Sequence, residues 1–205
     1  MSTLHVFNPY TQEKIDSIPL QGPEALEEML RRAYALSLDT TQALPPHARI
    51  RLLEKLAAAM EDRVEELTRI AAEEGGKPYT DSRVEVLRAI NGVKTAAAEI
   101  HQLKGEQVPM GLTEASAGRM AFTFREPIGV VAAISAFNHP LNLIVHQAVT
   151  AFAAGCPVIV KPANTTPRSC ITLVGMMHEV GIPKDWVQVL ISDNDTAERL
   201  ATDRA

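Results

Sequence analysis

An α/β fold is predicted by this sequence: an incomplete parallel sheet with flanking helices, an amino-terminal helical segment and a β-hairpin arm. Two short β-branched, apolar runs, Gly129 to Ile134 and Pro157 to Val160, flank one apolar helical segment from Leu141 to Ala154, which is βαβ spacing. Each run leads at once into polar residues, Ser135 to Asn138 after the first and Lys161 to Asn164 after the second. The stretch before them repeats apolar residues at helical spacing. In open parallel sheets ligands sit beyond the carboxyl ends of the strands. Asn138 and Lys161 are therefore expected to face one crevice.

Taken in order, Val6 to Leu20 reads as two extended pieces around an Asn8-Pro9-Tyr10-Thr11 turn, because Asn-Pro favours turn initiation. From Pro23, Leu26, Met29, Leu30, Ala33 and Leu36 recur at helix spacing. A second, longer helix opens at Pro45-Pro46 and carries Ile50, Leu53, Ala57, Met60, Val64, Leu67 and Ala71 until Gly75-Gly76 ends it. A third runs from about Ser82 to Leu103, with Val86, Ile90, Val93, Ala97 and Ile100 inward. The Glu73 to Pro78 segment, EEGGKP, lacks the preceding strand and the GK[ST] ending of a phosphate loop and reads as a helix C-cap and turn.

Gly105, Pro109, Gly111 and Gly118 punctuate the next stretch, and Arg119 to Arg125 alternates with period two, so Gly105 to Glu126 reads as a β-ribbon arm. After the central unit come a helix from about Ser169 to Val180, a stop at Gly181-Ile182-Pro183, a strand at Val187 to Ile191 and a helix start after Asp193. Three parallel strands with crossover helices result, and the sequence breaks off at Ala205 midway through a further βα unit. The expected segments are 1–104, the amino-terminal hairpin and helices; 105–126, the arm; and 127–205, the first βαβαβ part of the sheet.

Composition narrows the function classes. A length of 205 residues at 46% hydrophobic content supports a sizeable core. A net charge of -5 with interspersed signs and 4% aromatics gives neither a basic stripe nor a stacking platform, which argues against nucleic acid. The opening MSTLHVFNPYTQEK has no charged n-region followed by an apolar h-region, and no run approaches the roughly 18–20 apolar residues of a membrane span. A cytoplasmic protein with no membrane partner is the expectation. Two cysteines, Cys156 and Cys170, are too few for a disulfide framework, and six scattered histidines form no metal-binding pattern.

The runs EPIGVVAAISAFNHPL and AAGCPVIVKPANTTP, with NPYT near the start and EEGGKP between helices, resemble the aldehyde dehydrogenase superfamily in the right order along the whole chain. The resemblance covers only the amino-terminal part of such an enzyme, under half of it. It implies a Rossmann-type sheet, an NAD or NADP cofactor, a small-molecule aldehyde substrate oxidised to a carboxylic acid, and homo-oligomerisation through the 105–126 arm. From the residues alone, a hairpin lying on its own domain explains that arm equally well. The wording of the motifs is nearest to lactaldehyde or semialdehyde dehydrogenases.

Asn138 follows the first strand and precedes a helix. Its residue type and place fit either a helix cap or an amide aimed into the crevice, and the resemblance implies the second: a donor to the oxyanion that forms when a thiolate attacks an aldehyde. Lys161 ends the second strand; a solvated lysine is one reading, and the resemblance implies a donor to the cofactor's adenosine ribose. In the VIVKPAN run the family's usual glutamate is replaced by Asn164. A carboxylate there would accept from both ribose hydroxyls and repel a 2′-phosphate, whereas the amide removes the repulsion, which leaves NAD and NADP both open. Ile134, Ser135, Phe137 and Ala163 match positions lining the cofactor groove, although Ile134 also suits plain core.

The family's nucleophilic cysteine and its basic glutamate match nothing in this chain. Cys156 and Cys170 are expected to be inert structural thiols, and His139 and Cys156, at opposite ends of the intervening helix, form no dyad. The chain alone is therefore expected to be inactive. Two alternatives stand beside that reading: a truncated, non-catalytic assembly partner of a full-length homologue, and a fragment of an acylating semialdehyde dehydrogenase.

Overall fold

The computed structural model describes residues 2–203; Met1, Arg204 and Ala205, the last two closing the 127–205 segment, lie outside the described residues. The chain begins with an antiparallel hairpin, β1 (Thr3–Phe7) and β2 (Lys14–Pro19). Its turn is fixed by Asn8, whose Oδ1 accepts from the backbone of Tyr10 at 2.9 Å and Thr11 at 3.1 Å. Helix α1 (Pro23–Leu38) follows, burying the five apolar residues its spacing picks out.

The long second helix of the sequence reading is two helices, α2 (Pro46–Asp62) and α3 (Val64–Gly75). The break falls at Arg63, with φ -115 and ψ 23, outside the helical well. Its guanidinium holds Glu66 through two contacts of 2.8 Å. Met60, Val64 and Leu67 keep helical spacing across the break, so the apolar pattern could not register it. Gly76, at φ 63, closes α3 in the left-handed conformation expected of a C-cap glycine. Helix α4 (Tyr79–Glu99) starts three residues earlier than Ser82 and gives way at Ile100 to a short 3-10 turn.

The arm is less regular than its alternation suggests. Only β3 (Gln107–Val108) and β4 (Ala121–Phe122) pair, antiparallel, with Gln107 opposite Phe122. The alternating side chains have no core to face: Met120 is 80% and Phe124 84% exposed. Gly105 is required where the two sides of the ribbon meet, since a Cβ there would lie 1.6 Å from the carbonyl oxygen of Thr123.

The central sheet is parallel, in the order β5 (Val131–Ile134), β6 (Val158–Lys161), β7 (Val187–Val189). Strand β5 starts two residues later than expected because Gly129 sits at φ 110. Strand β7 ends at Val189 rather than Ile191 because Ile191 is tied to Gln21 instead. Its carbonyl accepts from Gln21 N at 2.7 Å, and its own N–H donates to Gln21 Oε1 at 2.8 Å. Between β5 and β6 the chain runs helically through α5 (Asn142–Ile144), a π turn (Val145–Val149) and α6 (Thr150–Ala154). Helices α7 (Arg168–Glu179) and α8 (Asn194–Thr202) complete the fold.

Apolar alternation on β6 builds three layers. Ile159 packs with Leu26, Met29, Leu30 and Ala33 of α1 and with Leu200 of α8. Val158 and Val160 join the larger cluster on the opposite face, with residues of α2, α3, α4, α6 and α7. All four residues of β6 are buried, Lys161 included. The sheet therefore ends in a charged residue at its carboxyl edge.

Candidate active site

Lys161 is the last residue of β6 and only 6% exposed, so it is not a solvated surface lysine. Its Nζ donates to Asn164 Oδ1 at 2.8 Å. The turn that brings Asn164 back is closed by Thr166 N donating to Ala163 O at 3.1 Å. Burial pulls the Lys161 ammonium below the usual lysine range, opposed by the charge of Asp193. Asp193 caps α8, accepting from Thr196 N at 2.9 Å, and its carboxyl is held below the ordinary range by those hydrogen bonds and by Lys161.

Ile134 is the register partner of Lys161 across the ladder, and Ser135 N donates to Lys161 O at 2.9 Å. Ile134, Ser135, Lys161, Ala163 and Asn164 are thus brought together at the carboxyl edge of β5 and β6. Ile134 is 46% exposed, which removes the plain-core reading, and Phe137 is 64% exposed just beyond it. A buried cation with one neutral partner, beside open apolar side chains, suits the ribose and base of an adenine nucleotide. These residues fit the adenosine end of NAD or NADP.

Asn138 lies exposed in the loop after β5. It does not cap the following helix. That task falls to Glu85 of α4, whose Oε1 accepts from the backbone of Leu141 at 2.9 Å and Asn142 at 3.1 Å. Among the described residues the Asn138 amide makes no hydrogen bond, either to its own loop or to the Lys161 group. Its two N–H donors are unspent. Asn138 and Lys161 leave neighbouring strand ends, yet no hydrogen bond joins them.

Glu85 escapes the sequence reading although a signal exists: Ser82, Glu85, Val86 and Ala89 share the buried face of α4. Its side chain is fully buried and pairs with Lys77 and, at 3.4 Å, with His139 Nδ1. Lys77, the lysine of EEGGKP, is thereby committed to a carboxylate and not to a phosphate. Glu74 is a second buried cap, accepting at the start of α7 from Arg168 N at 2.7 Å and Ser169 N at 2.8 Å. Burial raises its pKa against those hydrogen bonds. Cys170 behind it is wholly buried, and burial with the Glu74 charge pushes its thiol far above the ordinary value. Cys156 is 3% exposed. Neither thiol is placed to act as a nucleophile.

Between α4 and the 142–154 helical run lies an open groove of about 720 Å³, whose lining includes Leu87, Arg88, Glu99, Asn142, Val145 and His146. Arg88 has no ion pair among the described residues. The groove adjoins the helix that begins four residues after Asn138.

The α/β architecture, with polar residues gathered at the carboxyl ends of parallel strands, is of the class that binds nucleotides at that edge. The sequence profile of the "Aldehyde dehydrogenase family" matches residues 1–205, and the chain belongs to that family. It is similar to 3-sulfolactaldehyde dehydrogenase of Priestia megaterium, 39% identical over 191 residues, which cover 93% of this chain and 39% of that protein. Among solved structures it is similar to aldehyde dehydrogenase 21 from Physcomitrella patens in complex with the reaction product succinate: TM-score 0.94, 30% identity, 99% of this chain and 42% of that one. It is also similar to glyceraldehyde-3-phosphate dehydrogenase GapN from Methanocaldococcus jannaschii complexed with NADP: TM-score 0.89, 31% identity, 98% of this chain and 43% of that one. The chain spans about two fifths of the length of these relatives.

Proposed function

We propose that this chain is the amino-terminal, cofactor-binding portion of a cytoplasmic NAD(P)-dependent aldehyde dehydrogenase that oxidises an aldehyde to a carboxylic acid, with the nucleophilic cysteine and the basic glutamate supplied by sequence beyond Ala205. The observation that carries this reading is the unspent Asn138 amide, exposed at the carboxyl end of β5 beside the strand end that carries Lys161 and Asn164.

Asn138 donates to the carbonyl oxygen of the aldehyde as thiolate attack turns it into an oxyanion. Such a donor is held ready before charge develops and is typically worth roughly 10²- to 10³-fold in turnover. Lys161 and Asn164 would hold the adenosine ribose of a nicotinamide cofactor, with Ile134 and Phe137 beside its base, and the cofactor would supply the hydride acceptor. With Asn164 in place of a carboxylate, the site takes NADP as readily as NAD. The described residues hold no thiolate positioned for attack, so the 205-residue chain alone has no dehydrogenase turnover.

The groove suggests the substrate class. Arg88, which has no ion-pair partner among the described residues, lines it beside Asn142 and His146 and suits a short aldehyde bearing a carboxylate, sulfonate or phosphate. Two of the similar proteins are named for aldehydes of this kind, 3-sulfolactaldehyde and glyceraldehyde-3-phosphate, and the third is in complex with succinate, a dicarboxylate reaction product. In the complete enzyme, R88A raises KM for succinate semialdehyde at least 10-fold and leaves KM for propanal, which has no anionic end, within about 2-fold. Equal effects on both would remove the substrate assignment.

A contact between copies is supported by the arm, where Leu112, Met120 and Phe124 are each at least 80% exposed, and by Ile128 just beyond it at 89%. We assign the 105–126 arm to homo-oligomerisation; deletion of 109–119 should shift the sedimentation profile of the complete enzyme to a smaller species.

A further inference from the structure

Resting on the assignment of Asn138 above, we infer that Glu85 is the residue that positions it. The start of a helix leaves its first N–H groups without intrahelical partners, and usually a serine, threonine, aspartate or asparagine just before the helix takes them. Here the segment before α5 reads Ala136-Phe137-Asn138-His139-Pro140, and its one capping residue leaves its amide free. The acceptor comes instead from another element. Glu85 Oε1 takes both the Leu141 and the Asn142 N–H, at 2.9 and 3.1 Å, over a sequence separation of 56 and 57 residues.

The other carboxylate oxygen, Oε2, is held by Lys77 and faces His139 Nδ1 at 3.4 Å. Lys77 in turn lies 3.4 Å from His139 Nδ1. One buried carboxylate thus grips the loop immediately after Asn138, through His139, and again two peptide groups later. A loop held at both points has little freedom to swing, and Leu143 N donating to His139 O at 3.0 Å closes it further. Because Glu85 Oε1 accepts the Leu141 and Asn142 N–H groups, the Asn138 side chain is not turned back to offer its Oδ1 to the helix start, and its NH2 is left to face the oxyanion. Glu85 touches neither substrate nor cofactor; it acts through the backbone of 139–142.

The experiment is a double-mutant cycle in the complete enzyme, with E85A, E85Q, N138A and E85A/N138A, reading kcat and cofactor KM, with native-state hydrogen exchange on the 205-residue chain. We expect E85A to lower kcat about 10-fold with cofactor KM unchanged, and to lower it less than 2-fold further when N138A is already present. E85Q, which keeps an acceptor oxygen, should stay within about 3-fold of wild type, so that a folding failure of E85A alone cannot decide the matter. In the chain, E85A should raise exchange at the Leu141 and Asn142 amides, with E85Q closer to wild type, while the amide of Val160 in β6 stays protected. An equal loss of kcat in both backgrounds would make Glu85 merely structural, and unchanged exchange at 141–142 would overturn the proposal outright. An inactive wild-type enzyme would instead remove the assignment of Asn138, while the exchange result still decides whether Glu85 holds the loop.

Discussion

At the scale of single residues, the cofactor role proposed for Asn164 predicts a selectivity. A neutral amide 2.8 Å from Lys161 Nζ can share a ribose with that lysine and does not repel a 2′-phosphate. N164E restores the repulsion: it should weaken NADP binding by at least 10-fold while changing NAD binding by less than 3-fold, read as KM for each cofactor in the complete enzyme. The two cysteines make an independent prediction. With Cys156 3% exposed and Cys170 fully buried, a thiol reagent should label neither in the native chain within an hour at neutral pH, and both once it is unfolded. The strand-end place of Lys161 and Asn164 and the burial of both thiols are legible from sequence because each sits against a strand or helix boundary that its neighbours announce. Glu85, Asp193 and Glu74 are not, because each carboxylate acts on backbone or on a charge that only the fold brings near.

At the scale of elements, one helix start served by a distant carboxylate carries a pH response. Glu74, in α3, caps α7, and its folded pKa is raised above the ordinary 4.5 by burial. A carboxyl that holds its proton more tightly when folded contributes stability that is fully present below pH 4.5 and is lost as pH rises through the folded pKa. E74Q has no such slope. Denaturant titrations of both proteins between pH 4 and 7 should therefore show wild type losing stability relative to E74Q as pH rises; parallel curves would contradict this. The helical layer is also testable by a cavity: Leu56, wholly buried in α2, should cost about 2–5 kcal/mol when cut to alanine. Apolar spacing reveals such positions directly, yet it runs unbroken through Arg63, where the backbone leaves the helix. Period-two alternation likewise overstates the arm, because alternation alone gives no layer for the apolar side to cover.

At the scale of the whole molecule, a sheet of three parallel strands between two helical layers gathers its chemistry at one edge, and the βαβ spacing that announces it is short-range and readable. The interlayer ties are long-range. Gln21 on Ile191, Glu85 on Leu141 and Glu74 on Ser169 join residues 56 to 170 positions apart, and nothing in local sequence pairs them. The central claim is that this portion serves a dehydrogenase with Asn138 as oxyanion donor. Its most direct test follows nicotinamide reduction by the complete enzyme and its N138A variant, with NADP and succinate semialdehyde. The account predicts turnover in the wild type and a loss of about 10²- to 10³-fold in kcat for N138A with cofactor KM unchanged; an N138A enzyme that turns over like wild type would contradict it.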